Sequence, residues 1–487
     1  MGDYSPRRRT AVVFSGTGTA GAYHAGVLRA LDESGAKIDL VVGSGGGALA
    51  AVFAAVAGGA QLYGSQGLWR ELRWRDLYRI RRSLRLALFL LGMLVAAFFL
   101  PLCLALVAGV LAVPVLIIDL ISAGFAARVV QLSGLSAAMA SQVYFLALAV
   151  PAFLVAGSVV AGTAGVLLTR RRRAVETLEF LLDAAPARDR IAKSLWAVAQ
   201  GQALASSPAS TAELSRRVVG LLSDSAGQPG FRELILRAID LEAGRSVDFA
   251  LLHEPGRSQF MAGRRRGSGG GTPVVDLSVQ GQDVFLFDVV LTGVCLPFLS
   301  AIRRVVVPKG APIPGGTHRL ADASFGRGCG LADAIAAGAE QVILVTPVPA
   351  DGTTTAGRRG PRALLDALLL SLERSGLEAE LAETERINLL VETMGHETDD
   401  GGRAWEDPTS GRVYRPIELY VVRPDRRTLS PLAYDGIRDH SVDVTETPSD
   451  MLERGYRDAI HQLVEPVIGG IGDGTIPYAP EPRGMSL

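Results

Sequence analysis

The stretch VVFSGTGTAGAYHAGVLRAL, residues 12–31, is followed by IDLVVGSGGGALAAV, residues 38–52. In each stretch a short apolar run meets a glycine-rich turn, and the turn opens an apolar segment with helical spacing. We predict buried strands over residues 10–15 and 38–42 and a helix over residues 22–31. Turns of this kind hold phosphates in some folds and catalytic residues in others.

The composition excludes several classes of protein. A chain of 487 residues exceeds the usual domain size, so one large or two ordinary domains are expected. Cys103, Cys295 and Cys329 are too few and too scattered for a disulfide framework or a zinc site. The 49 basic residues balance the 49 acidic ones, so no overall field attracts nucleic acid. We therefore expect no metal and no nucleic-acid partner.

Two long runs, Leu86–Ile118 and Val129–Thr169, contain no charged residue. Each run is long enough for a membrane span, which takes about 20 residues. Arginine-rich segments at residues 73–85 and 170–173 lie outside the two ends of the pair. Because positive charge stays on the cytoplasmic side, this arrangement predicts an even number of spans.

We expect a transmembrane hairpin with helices near residues 88–112 and 144–168 and both termini in the cytoplasm, in a bacterial inner membrane. An apolar lid packed on protein is the alternative, whereas helices lying flat in the interface would need a charged face that these runs lack. Gly157, Ala161 and Gly165 permit close helix contact, either within the hairpin or in a homodimer.

The first turn, GTGTAG at residues 16–21, has the G-x-G-x-x-G spacing of dinucleotide-binding folds. That fingerprint also needs an acidic residue at the far end of the second strand. Here Gly43 stands at that end, and Asp39 lies at the beginning of the strand instead. Nucleotide binding is therefore kept as an alternative, and no cofactor is predicted.

The second turn, GSGGG at residues 43–47, joins a predicted strand to a predicted helix in the manner of a nucleophile elbow. An elbow of the G-x-S-x-G type has its serine at the middle position. The middle residue here is Gly45, and the serine lies one position earlier, at Ser44.

Together these stretches resemble the patatin-like phospholipase family, whose members carry a G-G-G-x-R-G turn, a helix reading roughly AYxxGVLxAL, and an elbow reading GTSAGAL. SGTGTAGAYHAGVLRAL and VVGSGGGALAA fit this pattern without a gap. RLADASFGRG, residues 319–328, occupies the place of the family's D-G-G or D-G-A motif, and residues 236–252 and 291–298 agree with further family segments. The resemblance covers residues 10–57 and about 174–465.

The resemblance implies a catalytic dyad that needs no histidine. By position, the nucleophile falls on Gly45 and the base on Asp322. The residues of the turn that would supply the oxyanion hole are Gly16, Thr17, Gly18 and Gly21.

Four motif positions depart from the family's pattern, and one of them is the nucleophile. The residues at these positions are Thr17 for the middle glycine, Ala20 for the arginine, Gly45 for the serine and Ala323 for the glycine after the aspartate. Acyl transfer by this mechanism needs an oxygen at the elbow tip, which glycine does not have. Ser44 is the candidate replacement, but alternation along the strand predicts that its side chain points away from the cleft.

The fold that the resemblance implies is a three-layer patatin-like α/β domain with a mostly parallel sheet, into which the transmembrane hairpin is inserted. Its strands are expected to include residues 10–15, 38–42 and 341–346. The expected parts of the chain are a disordered N-terminus at residues 1–9, the discontinuous domain at residues 10–82 and 174–470, the hairpin insertion at residues 83–173, and a flexible tail at residues 471–487.

The expected function is that of a membrane-anchored patatin-like protein without catalytic activity, which binds a membrane lipid, a fatty acyl chain or a protein partner. Because the hairpin follows soon after the elbow helix, the cleft is expected near the cytoplasmic membrane face. One alternative is an active lipid acyl hydrolase of the phospholipase A type that uses Ser44, Ser15 or Ser324 with Asp322. The other is a membrane-tethered protein that binds a nucleotide through Gly16–Gly21.

Overall fold

The protein was examined as a computed structural model. The residues that it describes are 4–70, 73–80, 182–200, 208, 210–228, 230–266, 272–294, 303–307, 313–323, 326, 328–350, 361–398, 402–408, 411–425, 437–439 and 444–469, with scattered positions between 85 and 117.

The chain divides into two compact units. One unit comprises residues 1–79 and 184–487, and the other comprises residues 80–183. The expected hairpin helices near residues 88–112 and 144–168 lie mostly or wholly outside the described residues. Within the part of the chain that is described, no helix combines the length and the apolar character that a membrane crossing requires.

The first unit is built on a nine-stranded mixed sheet, and three short sheets accompany it in the chain. In chain order the strands are β1 (Thr10–Phe14), β2 (Leu40–Ser44), β3 (Arg79–Ile80), β4 (Leu182–Asp183), β5 (Glu233–Asp240), β6 (Arg245–Leu251), β7 (Val274–Asp276), β8 (Arg303–Val307), β9 (Gly316–Asp322), β10 (Gln341–Val345), β11 (His396–Glu397), β12 (Arg403–Glu406), β13 (Val413–Tyr414), β14 (Glu418–Val422), β15 (Ile437–Asp439) and β16 (Val444–Glu446).

The strand order in the main sheet is β14-β10-β1-β2-β5-β6-β7, and β9 pairs with both β5 and β8. Along the run β14-β10-β1-β2-β5, each strand is parallel to the next one in the run. β6 and β9 run antiparallel to β5, and β7 is parallel to β6. The expected α/β fold with a mostly parallel sheet is confirmed.

The helices in the described residues flank the strands in sequence. They are α1 (Ala20–Ser34), α2 (Gly47–Ala55), α3 (Ala60–Tyr63), α4 (Trp74–Leu77), α5 (Ala185–Gln200), α6 (Thr211–Asp224), α7 (Gly256–Arg266), α8 (Leu286–Thr292), α9 (Leu331–Ala336), α10 (Pro361–Met394) and α11 (Pro448–Ala459), with a 3-10 turn at Asp283–Phe285 and a π-helix at Ile460–Ile468.

The central strands are buried along their whole length because helices cover both faces of the sheet. TAVVF in β1, LVVGS in β2 and QVILV in β10 are buried at every position, as expected for parallel strands between two helical layers. β2 begins two residues later than predicted and includes Gly43 and Ser44, which continue the ladder to β5 by pairing with Leu236 and Arg237.

The two faces of the sheet pack against different helices. Val13 and Val42 belong to one core cluster with Leu331 of α9 and Leu370 of α10. Gly43, one residue further along β2, instead approaches Ala48 and other residues of α2. We call these the α9 face and the α2 face, and the register of the strands assigns the remaining residues to one or the other.

α1 and α11 cross at a distance that only glycine permits. A Cβ on Gly26 would overlap the carbonyl oxygen of Leu452, and a Cβ on Gly455 would overlap the carbonyl oxygen of Tyr23. The crossing is also tied by the Tyr23 hydroxyl, which donates a hydrogen bond to Asp458 at 2.9 Å. The C-terminal helix is therefore locked against the first helix of the sheet.

His24 of α1 is buried without charge. Its Nε2–H donates to the carbonyl oxygen of Ser15 at 3.0 Å, and its ring lies 5.4 Å from that of Phe14. Burial lowers the pKa of His24 to about 4, and the hydrogen bond to Ser15 offsets only part of that effect.

Adding one methyl group at the helix crossing should destabilise the protein. We expect Gly26→Ala and Gly455→Ala each to lower the free energy of unfolding by about 1–3 kcal/mol, since the carbonyl groups cannot move aside freely. Gly220 of α6 has open space around it, so Gly220→Ala should instead be neutral or stabilise by up to about 1 kcal/mol. Thermal melts of the three variants test this, and equal melting temperatures would contradict the proposed packing.

His24 should make the fold sensitive to mild acid. Because its pKa falls from about 6.5 unfolded to about 4 folded, its contribution is complete above pH 6.5 and is lost as the pH falls toward 4, on the order of 3 kcal/mol in all. We expect His24→Gln to flatten the loss of melting temperature over this range. His461→Gln, at an exposed position, should keep the wild-type profile, and identical profiles for both variants would contradict the assignment.

Candidate functional site

The elbow turn connects strand to helix within two residues. β2 ends at Ser44, Gly45 has φ +59°, and Gly46 precedes the first residue of α2, Gly47. A side chain at a left-handed position costs roughly 1–2 kcal/mol, and glycine avoids that cost. The backbone thus has the sharp geometry of a nucleophile elbow, with its tip at Gly45.

The elbow packs directly on the backbone of the first turn. The N–H of Gly46 donates to the carbonyl oxygen of Gly16 at 2.7 Å. A Cβ on Gly46 would lie 3.0 Å from the carbonyl oxygen of Gly18, and a Cβ on Gly47 would overlap that of Phe14. From the other side, a Cβ on Gly293 would overlap the carbonyl oxygen of Gly45. The structure therefore brings the predicted oxyanion turn and the elbow tip together.

The first turn is held in a compact shape. Gly18 has φ +59°, and hydrogen bonds from Ala20 to Thr17 and from Gly21 to Gly18 tighten the entry into α1. A Cβ on Gly21 would collide with the ring of Trp69. Thr17 is buried, and its backbone N–H donates to the carboxylate of Glu373 in α10 at 3.1 Å.

Ser44 is turned toward the α9 face. Its side chain is fully buried, and its Oγ donates to the carbonyl oxygen of Cys329 at 3.3 Å. In the ladder Ser44 pairs with Arg237, whose side chain lies on the same face. The hydroxyl is thus used in a structural hydrogen bond.

Asp322 lies on the opposite face of the sheet. It is the last residue of β9 and pairs with Ala238 of β5. Because Ala238 follows Arg237 along the strand, the two side chains point to opposite faces. Asp322 is therefore on the α2 face with the elbow helix, and the sheet separates it from the Ser44 hydroxyl.

Ser15 and Ser324 were the other two candidate nucleophiles in the sequence. Ser15 is buried at the end of β1, where its N–H donates to Val345. Ser324 lies outside the described residues. Within the described residues, no group of His, Cys, Asp or Glu side chains could hold a metal ion.

A buried ionic cluster under Ser44 was not predicted from the sequence. Arg237 contacts Asp248 at 3.1 Å, Asp333 at 2.5 Å and Glu380 at 3.5 Å. Glu380 also accepts a hydrogen bond from the Cys329 thiol at 2.9 Å. The one available signal is a charged residue inside the apolar strand ELILRAID, which indicates a buried partner without identifying it.

The cluster sets the protonation of its members. Burial alone would lower the pKa of Arg237, but the carboxylates of Asp248 and Glu380 raise it, so the guanidinium stays charged. Burial raises the pKa of the Cys329 thiol well above its ordinary value, and Glu380 raises it further. Cys329 is therefore a protonated thiol and not a nucleophile.

Comparison with known proteins agrees with the sequence motifs. Residues 12–109 match the family model described as patatin-like phospholipase. No curated protein matches the chain. Among solved structures, VipD from Legionella pneumophila is similar at 11% sequence identity and a TM-score of 0.27, covering 94% of this chain and 67% of that one. A likeness at that level carries no argument about fold or function.

The matched region contains both glycine turns, the elbow and α1. These features agree in order and spacing with the patatin-like phospholipase family, and it is over residues 12–109 that the chain matches the model of that family.

Proposed function

We propose that this protein is a membrane-anchored, patatin-like protein that lacks hydrolase activity. It binds a lipid or acyl chain at the cytoplasmic face of a bacterial inner membrane. The observation that carries the proposal is the elbow tip, where Gly45 takes the left-handed backbone position and offers no oxygen. Acyl transfer needs a nucleophile aligned with a base and with oxyanion donors. This chain retains the turns and the aspartate without the nucleophile.

The position of Ser44 supports the loss of activity. A serine one residue before the tip would have to reach a carbonyl on the side of the sheet where Asp322 lies. Its Oγ instead donates to Cys329 on the α9 face. A misplacement of even about 1 Å can cost a hundredfold in rate, and here the two groups are on opposite faces.

The retained backbone supports binding. The elbow and the first turn keep their mutual hydrogen bond and their glycine contacts, so the shape that receives an acyl group persists. A family site that has lost only its nucleophile can still bind the ligands for which it is shaped.

Exposed apolar side chains support membrane anchoring. Between residues 86 and 117 the described positions include large hydrophobic side chains that are roughly half exposed or more, such as Phe89 at 63% and Met93 at 45%. A concentration of exposed apolar surface of this kind is typical of membrane or partner contacts. These positions fall in the uncharged run Leu86–Ile118, whose length fits a span.

Restoring the tip oxygen should restore covalent chemistry. We expect wild-type protein, purified in detergent, to resist labelling by a serine-directed fluorophosphonate, and Gly45→Ser to be labelled. Gly45→Ala has the same backbone cost without the oxygen and serves as the control, so it should stay unlabelled. Labelling of the wild type that disappears in Ser44→Ala would overturn the proposal and identify an active hydrolase with a displaced nucleophile.

Charge in the apolar run should weaken membrane association. An arginine near the middle of a span costs about 2.5–3.5 kcal/mol of insertion free energy, so we expect Phe99→Arg, at the centre of the expected span 88–112, to lose much of the carbonate-resistant membrane fraction that the wild type shows. Val306→Arg replaces an exposed apolar side chain of the first unit, 73% exposed, and should fractionate like the wild type. Release of wild-type protein by carbonate would contradict the anchoring.

A further inference from the structure

The predicted oxyanion turn already contacts a carboxylate from its own chain. The backbone N–H of Thr17 donates to Oε1 of Glu373 at 3.1 Å, and the two residues are 356 positions apart in sequence. Thr17 occupies the middle position of the turn, at the point where the first strand gives way to α1. Such an amide is the group that would bind a developing or permanent anion in this kind of site.

A carboxylate at this amide excludes other anions. An amide has a single hydrogen and makes one strong hydrogen bond at a time. Bonds from an N–H to an ionised carboxylate are stronger than those between neutral groups. A second carboxylate entering the same turn would meet both an occupied donor and a like charge, which raises its free energy.

The docking of α10 holds Glu373 in this place. Arg374 donates to the carbonyl oxygen of Pro349 at 3.4 Å, and Gly376 lies against the backbone of Gly328. One turn later Glu380 accepts the N–H of Leu331 at 2.8 Å and contacts Arg237. These contacts, all of which follow Glu373 along α10, fix the helix beside the first turn, and the Glu373 side chain itself is half-buried.

We propose that Glu373 is an internal competitor for anionic lipids: its carboxylate occupies the Thr17 amide, and a fatty-acid carboxylate binds there only by displacing it. This inference rests on the proposed function, because it assumes that the cleft takes an acyl chain. It makes Glu373 a residue that determines specificity, since an uncharged lipid of the same chain length does not need the Thr17 donor.

Two measurements on Glu373→Ala test the inference, with Glu378→Ala as the matched control on an exposed position of the same helix. The first is amide hydrogen exchange of the peptide containing Thr17, without ligand. The second is binding of oleate and of oleyl alcohol to the detergent-purified full chain. We expect Glu373→Ala to speed exchange and to lower the Kd for oleate about tenfold or more, the scale of one charge-assisted hydrogen bond. The Kd for oleyl alcohol and all values for Glu378→Ala should remain those of the wild type.

The outcomes separate this inference from the proposed function. The competition is overturned if the Thr17 peptide of Glu373→Ala exchanges at the wild-type rate, or if it exchanges faster while the Kd for oleate is unchanged. In either case, measurable oleate binding still supports the lipid-binding role. An equal gain in affinity for oleyl alcohol also overturns it, because the effect would then be one of space and not of charge. If no variant binds either lipid, the proposed lipid binding fails and the competition fails with it.

Discussion

The candidate site depends on two glycine turns that meet backbone to backbone. The hydrogen bond from Gly46 to Gly16 and the closeness of Gly47 to Phe14 leave no room for a side chain between the turns. This contact fixes the predicted oxyanion turn beside the elbow and fixes α2 on β1. The glycines are therefore required for packing whether or not the site is catalytic. They keep the two turns in contact although the elbow tip, Gly45, has no side-chain oxygen.

The two faces of the sheet divide the remaining chemistry. On the α9 face, Ser44 donates to the carbonyl oxygen of Cys329, Arg237 donates to Asp248, and the Cys329 thiol donates to Glu380. A buried ion cluster of this kind is weak evidence of stability, but removing one partner would leave a buried charge uncompensated. On the α2 face, Asp322 shares a layer with the elbow helix and apolar side chains. The Ser44 hydroxyl and the Asp322 carboxylate thus lie on opposite faces of the sheet.

Much of the fold could be predicted from the sequence because its signals are local. Apolar runs marked β1, β2 and β10 to within two residues at each end, and the glycine corners marked the entries to α1 and α2. Alternation along β2 was enough to predict the direction of Ser44. The contacts of Arg237 with Glu380 and of Thr17 with Glu373 join residues 143 and 356 positions apart. No local periodicity encodes them, because they exist only once α10 has docked on the sheet.

The position of β1 in the sheet has a consequence for the order in which the chain folds during synthesis. β1 lies between β2 and β10, and α1 is covered by α11, so β1 and α1 complete their packing only after residues 341–345 and 448–459 have been made. Pairings of such long separation form slowly and leave early segments exposed. The apolar run that begins at Leu86 leaves the ribosome long before those partners. We therefore expect that run to engage its final surroundings while the sheet of the first unit is still incomplete.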